Sequence, residues 1–325
     1  MSYRFTFIGL VILFSVFSCN KPQEYQHLEG NALGTTFSIA YNKPDNYSKA
    51  IDSLFHVINN SLSTYHPNSI ISKINKGDSL VLVDEHFTKV FTKAKRIYKE
   101  TDTYFDPTVG VLVNAWGFGP EKAQENLDSL AVKNLMKYVG FEKISLKNKR
   151  IIKKYPEIFI DFNAIAKGYM VDVLGLFLES KNVESYMVEL GGEIRVRGVN
   201  TKGKPWIIGI EKPLTDGSRA YEKTVSLQDK AMATSGNYRK FKIDKQGRKF
   251  VHTINPKTGF TEQNDLLSVT VISTKDCADA DAYATAFMAM GYEKTKAFLQ
   301  KHQELQTLLI YIDNHGEVSV VSSLD

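Results

Sequence analysis

The sequence predicts an α+β fold: one compact body with mixed or antiparallel sheets flanked by helices, and room for two lobes. Three observations carry this reading. Apolar residues recur at helical spacing in separate segments, most clearly Ile51, Leu54, Phe55, Ile58 and Leu62. Short strand-like segments crowd residues 143–254. Helices and strands do not alternate in the regular way that builds a doubly wound parallel sheet. A length of 325 residues, 43% of them hydrophobic and 24% charged, suits one or two globular domains.

The first 18 residues stand apart. Residues 5–18 are almost wholly apolar after Arg4, too short a run to span a membrane comfortably but the right length for the core of a signal peptide. The run ends Val16-Phe17-Ser18-Cys19, a small residue directly before a cysteine. That pattern resembles a bacterial lipoprotein cleavage box, with Cys19 as the lipidated first residue of the mature chain. An uncleaved N-terminal anchor is the alternative. Either way the expected location is the cell envelope, facing the periplasm and held to a membrane. Residues 19–30 are polar and read as a tether, leaving 31–325 as the folded domain.

Residues 32–41 read as a first strand, 48–62 as a helix, 63–69 as a loop and 86–99 as a second amphipathic helix. Residues 101–120 are rich in turn formers and aromatics, and 121–138 read as helical. Strands are expected within 143–162, with turns at 147–149 and 155–156, before a helix at 165–179. Further strands are expected at 185–190, 193–199, 205–211, 222–228, 239–243, 248–254 and 267–273. Helices at 279–291 and 293–302 and strands at 308–313 and 318–321 complete the chain.

Composition excludes several functions. Lysine plus arginine is 41 against 36 aspartate plus glutamate, a net charge of +5 with the signs interspersed, so no nucleic-acid footprint is visible. The two cysteines, Cys19 and Cys277, cannot build a disulfide framework or a cysteine-rich zinc site. No glycine-rich dinucleotide loop, P-loop, Gly-x-Ser-x-Gly elbow or HExxH is present.

Several segments could carry chemistry. Asp161-Phe162-Asn163-Ala164-Ile165-Ala166-Lys167-Gly168 runs from a strand end into a helix, whose first N–H groups suit an anion. Lys167 could contact a phosphate or pair with Asp161. In Asp279-Ala280-Asp281-Ala282-Tyr283-Ala284-Thr285, Asp281 and Thr285 share one helix face and are hard oxygen donors suited to magnesium. His252-Thr253-Ile254-Asn255-Pro256 is a strand entering a turn, with His252 a candidate base or phosphate ligand. Ala233-Thr234-Ser235-Gly236 reads as a tight turn with two hydroxyls. Tyr104-Phe105-Asp106, Trp116-Gly117-Phe118-Gly119 and Ser63-Thr64-Tyr65 place aromatics in loops, where they could stack on a flavin or an adenine. Each, taken alone, reads equally well as capping or core packing.

Together, and in this order, they resemble the ApbE family of FAD:protein FMN transferases. The resemblance rests on Leu33-Gly34-Thr35, Ser63 to Asn75, Phe105 to Gly110, Trp116 to Gly119, Asp161 to Gly168, Gly191 to Ile194, Ala233 to Gly236, His252 to Gly259 and Ala280 to Thr285. It implies Mg2+-dependent transfer of the FMN half of FAD to a threonine of a partner protein, with release of AMP. By the same resemblance Leu33, Tyr65, Tyr104, Phe105, Asp106, Asp161, Lys167 and Ile254 would hold the flavin nucleotide. The Ala164 main-chain carbonyl, Asp281 and Thr285 would hold magnesium, with His252 or Asp281 as the base. Leu33 replaces the family's methionine, and Ala284 stands where some relatives carry a second carboxylate. The implied acceptors are flavoprotein subunits of membrane redox complexes, of the sodium-translocating NADH:quinone oxidoreductase or Rnf type. Two other functions suit the same residues: an FAD pyrophosphatase giving FMN and AMP, or a non-catalytic FAD-binding lipoprotein.

Overall fold

The computed structural model describes residues 25–324 except 125–126, 215–217, 219, 238–240, 244–248, 262–264 and 275. The expected signal peptide and Cys19 lie outside the described residues.

The chain opens with a hairpin, β1 (Gln26–Ala32) and β2 (Thr35–Tyr41), turning through Leu33-Gly34. Residues 26–30, expected as tether, therefore belong to a strand. β1 is an edge strand whose residues alternate between exposed and half-buried positions, so its polar composition concealed it. Helices α1 (Ser48–Leu62), α2 (Ile70–Asn75) and α3 (Glu85–Glu100) follow, then the short α4 (Gly110–Ala115) and α5 (Ser129–Leu135). α5 is shorter than the expected 121–138, since its start is fixed by the Asp128 side chain accepting from the Ala131 N–H. A small hairpin, β3 (Ile144–Lys147) with β4 (Arg150–Lys153), leads to α6 (Asn163–Ser180).

The second half begins with β5 (Tyr186–Leu190) and β6 (Glu193–Arg197), then a separate hairpin of β7 (Trp206–Glu211) and β8 (Tyr221–Leu227). β9 (Lys230–Gly236) is a strand where a tight turn was expected at Ala233–Gly236. A two-stranded pair, β10 (Phe241–Ile243) and β11 (Lys249–Val251), precedes β12 (Leu266–Ser273). Helices α7 (Cys277–Met290) and α8 (Tyr292–Leu299) and strands β13 (Gln306–Ile312) and β14 (Val318–Ser322) close the fold.

Eight of these strands form one antiparallel sheet in the order β1-β2-β5-β6-β9-β12-β13-β14. Strand residues alternate between its two faces. Tyr41, Val188, Ala233 and Val269 face the main core, where Ile51, Phe87, Leu174 and Phe287 of α1, α3, α6 and α7 pack on them. Ile194, Met232, Ile272 and Ile310 face the opposite way, under Trp206, Ile208 and Val225 of the β7–β8 hairpin. Both faces of the central strands are thus covered.

Candidate active site

The site forms where α6 meets α7. Gly168 is what allows that approach: a Cβ there would lie 2.4 Å from the Cys277 carbonyl oxygen. The Gly168 N–H donates to Asp281 Oδ2 at 3.0 Å. In a regular helix this N–H would serve the Ala164 carbonyl; here it is turned to the Asp281 carboxylate of the neighbouring helix. Asp281 Oδ1 accepts no hydrogen bond among the described residues, although the residue is only 4% exposed. One turn on, Thr285 Oγ1 lies 3.3 Å from Ser235 Oγ of β9. Every residue of α7 except Thr285 is buried.

No group of three His, Cys, Asp or Glu that could hold a metal exists among the described residues, so a nitrogen- or sulfur-rich centre is not what this site offers. One open carboxylate oxygen, a hydroxyl and a main-chain carbonyl are hard donors that fit magnesium, the remaining positions being left to water and phosphate.

Lys167 does not pair with Asp161, as the sequence allowed. Its ammonium forms an ion pair with Glu193 Oε1 of β6. Burial opposes the Lys167 charge, but the Glu193 and Asp281 carboxylates reverse the effect and hold its pKa above the ordinary lysine value. Burial likewise raises the Glu193 and Asp281 carboxyls, and Lys167 pulls both back. The β1–β2 hairpin tip sits beside this cluster. Gly191 N–H donates to the Thr36 carbonyl at 3.0 Å, and a Cβ on Gly191 would meet the Thr35 side chain at 2.9 Å. Leu33 at the tip adopts φ 50, and a hollow of about 630 Å³ opens there, lined by residues 31–36.

A second group of residues is gathered by the segment before α6. Asn75 grips Ile160 twice, donating to its carbonyl and accepting from its N–H, both at 2.8 Å. Ser69 and Ser72, the other members of that serine-rich motif, bind the Ser63 carbonyl at 2.7 and 3.2 Å and so pin the loop that carries Tyr65. Asp161 is buried, accepts from the Asn163 N–H at 2.8 Å, and burial raises its carboxyl pKa. Tyr65 is 61% exposed; its hydroxyl donates to the Phe118 carbonyl at 3.3 Å, and partial burial followed by the Asp161 carboxylate raises its pKa. The strand expected to end at Asp161 is only an isolated parallel bridge between Val109 and Phe159, and the Asp161 N–H donates to the Pro107 carbonyl at 2.8 Å.

That last contact ties in Tyr104-Phe105-Asp106. All three are buried. Asp106 Oδ1 accepts from the Thr108 N–H and hydroxyl at 2.8 and 2.7 Å, and burial pushes its carboxyl up to about 6. Lys294 donates to the Tyr104 hydroxyl at 2.6 Å, and the Lys257 ammonium lies 4.5 Å from that ring's centre.

His252 stands on the loop after β11, its ring edge-on to Phe118 at 6.5 Å between centroids. Ile254 on the same loop is buried in a small cluster with Leu112, Val132 and Val139, so it braces the loop as well as any ligand. Thr253 donates to Asn237 Oδ1 at 2.8 Å, just past the end of β9. Ser235, at that same strand end, touches Thr285. The histidine loop and the α6–α7 junction therefore converge on one end of β9.

Several residues in this arrangement had no role assigned from sequence, Glu193 and Asn75 among them. A signal for Glu193 was present: in Glu193-Ile194-Arg195-Val196-Arg197 the charged residues share one strand face. That face meets α6, where Arg195 pairs with Asp172 and Glu179, and Arg197 with Glu179.

The comparisons with known proteins agree with this geometry. The model of the ApbE family matches residues 33–309. The chain is 35% identical to the FAD:protein FMN transferase of Haemophilus influenzae, covering 97% of this chain and 95% of that one. It is 36% identical to the FAD:protein FMN transferase of Vibrio cholerae, with 97% and 96% covered. Its structure resembles that of the flavin transferase ApbE from Vibrio cholerae with a TM-score of 0.83 at 35% identity, over 93% of this chain and 98% of that one.

Proposed function

The chain belongs to the ApbE family, and from that premise we propose that it is a FAD:protein FMN transferase, moving the FMN half of FAD to a threonine hydroxyl of a partner flavoprotein subunit and releasing AMP. The observation that best supports this is the α6–α7 junction, with its open Asp281 oxygen, Thr285 and the half-buried ammonium of Lys167.

The reaction needs placement and charge neutralisation more than covalent help. The threonine oxygen attacks the phosphorus on the riboflavin side of the pyrophosphate. The bond from that phosphorus to the bridging oxygen breaks, and AMP departs with the electron pair. Ala164, through its carbonyl, Asp281 and Thr285 would hold magnesium, which when bound neutralises phosphate charge. Lys167 sets a fixed positive charge beside them. Leu33, Tyr65, Tyr104, Phe105, Asp106, Asp161 and Ile254 hold the nucleotide, the aromatic and apolar members covering ring faces and the carboxylates taking polar edges.

His252 receives the threonine proton, since imidazole titrates near neutrality and this one lies in a loop beside Phe118. Asp281 is the poorer base because one oxygen is committed to Gly168 and the other serves the cation. We further propose that residues 1–18 are a signal peptide and that a lipid on Cys19 holds the enzyme at the periplasmic face of a membrane. Its acceptors there are subunits of sodium-translocating NADH:quinone oxidoreductase or Rnf-type complexes.

The test is to incubate the protein with FAD, Mg2+ and a candidate acceptor, then read acceptor mass and in-gel flavin fluorescence. An FMN-sized mass gain, lost in Asp281→Ala, supports transfer. FMN and AMP with an acceptor left unmodified across such subunits would instead mark a pyrophosphatase, and FAD retained intact would mark a binding protein.

A further inference from the structure

We propose that Glu193 is a positioning residue that holds the Lys167 ammonium away from Asp281 and so keeps the open Asp281 oxygen available to a divalent cation. This deepens the transferase reading and rests on it.

Two buried carboxylates attract the Lys167 ammonium: Glu193, which it touches, and Asp281, which binds the N–H of the next residue, Gly168. Its ammonium is bound to Glu193 rather than Asp281. Asp281, 4% exposed, spends one oxygen on the Gly168 N–H and leaves the other without a donor among the described residues. An ammonium seated on that oxygen would occupy a cation's place and cancel the charge that attracts it. Glu193 prevents this in two ways. It is the only strand residue the structure pairs with Lys167 among the described residues, and its second oxygen, Oε2, is buried with no hydrogen-bond partner. Leaving a buried carboxylate oxygen unpaired is costly. Here it offers the ammonium a second landing point on the Glu193 side, so rotation of the lysine stem does not deliver the charge to Asp281.

The position of Glu193 is firmly fixed. β6 is an inner strand, paired with β5 and β9, and Glu193 itself is 2% exposed. The next charged residues on its face, Arg195 and Arg197, are engaged further along α6 with Asp172 and Glu179. The Lys167–Glu193 pair is thus the end rung of a charged seam between α6 and β6, and it is the rung that borders Asp281.

The experiment measures Mn2+ affinity from the loss of the free-ion electron paramagnetic resonance signal, in the full protein with FAD present. Wild type, Glu193→Gln, Lys167→Met and the double variant are compared. Glu193→Gln is expected to weaken Mn2+ at least tenfold. In the Lys167→Met background the same substitution is expected to change affinity less than threefold, because no ammonium remains to misplace. An equal loss in both backgrounds would show that Glu193 acts on the cation directly and would overturn the proposal, as would a Glu193→Gln affinity equal to wild type. Circular dichroism melting checks that each variant is folded. Glu193→Asp, which keeps the charge, should recover most of the affinity; if Glu193→Gln unfolds, a tenfold loss in Glu193→Asp would overturn the proposal in its place. FMN transfer by the wild type, measured alongside, tests the parent reading separately.

Discussion

The Gly168 N–H reaches across to Asp281 Oδ2 at 3.0 Å, and this single bond joins the two motifs that the sequence holds more than a hundred residues apart. It exists because the α6 and α7 backbones nearly touch. A methyl group at Gly168 would sit 2.4 Å from the Cys277 carbonyl oxygen and 2.9 Å from the Ala278 Cα, both backbone atoms that cannot swing aside. Gly168→Ala is therefore expected to destabilise the protein by about 1–3 kcal/mol in denaturant unfolding. FMN transfer should fall by more than the folded fraction accounts for, since the helices must separate at the site itself. Unchanged transfer in a destabilised variant would refute that link.

Leu33 should respond in the opposite sense. Leu33 and Gly34 carry φ values of 50 and 78, the two consecutive left-handed residues of a tight hairpin turn. Asparagine tolerates that conformation better than leucine. Leu33→Asn is expected to raise stability by about 0.5–1 kcal/mol, while raising KM for FAD several-fold through loss of an apolar contact. Thermal melting and steady-state transfer kinetics read the two effects independently.

Asp106 provides a pH signature. Its folded-state carboxyl is raised by burial to about 6 from an ordinary 3.8. The protonated form is thus favoured by folding. That contribution is fully present below pH 3.8 and is lost as the pH rises through 6. Asp106→Asn keeps an oxygen for the two Thr108 donors and has no charge to bury. Relative to wild type it should gain stability between about pH 4 and pH 7, approaching about 2–3 kcal/mol at neutrality. Urea titrations of both proteins across that range would show the gap opening, and a constant difference would contradict it.

Lys257 binds Asp102 at 2.6 Å and lies over the Tyr104 ring, so it fastens the loop of His252 to the segment of Tyr104–Asp106. Asp102 is 86% exposed at its side chain, which limits what the ion pair adds to stability to about 0–1 kcal/mol. Lys257→Met is accordingly expected to leave the melting temperature nearly unchanged and to raise KM for FAD without an equal fall in kcat.

Particular residues show why some elements were legible in the sequence and others were not. Ile51, Phe55, Ile58 and Leu62 repeat at helical spacing because α1 buries one side only, and Phe87, Val90, Phe91, Ala94 and Ile97 do the same in α3. β9 gives no such signal. It lies inside the sheet, and Ala231-Met232-Ala233-Thr234-Ser235-Gly236 has no apolar/polar alternation and only one β-branched residue, Thr234, among small ones. β1 is hidden for the opposite reason, since an edge strand over the core's margin can be mostly polar. α2 escapes notice because one turn of apolar residues after the Ser69 cap is too short to show a period. At the site, the residue types in each motif suggested oxygen donors, a base and aromatic surfaces. Their meeting point depends on contacts such as Lys167 with Glu193 and Thr253 with Asn237, and no local pattern encodes a partner's identity.

α7 is enclosed on every side, with Thr285 its one opening, so the carboxylate proposed to meet a cation rides on a helix with almost no exposed surface. Such a helix has no route to partial opening that spares the core. Its amides should exchange with deuterium only as fast as the whole molecule unfolds, while the hairpin at Leu33 and the loop of His252 exchange sooner. Under the proposed function, entry and exit of the nucleotide would belong to those outer segments, while Asp281 would hold its place on the buried helix.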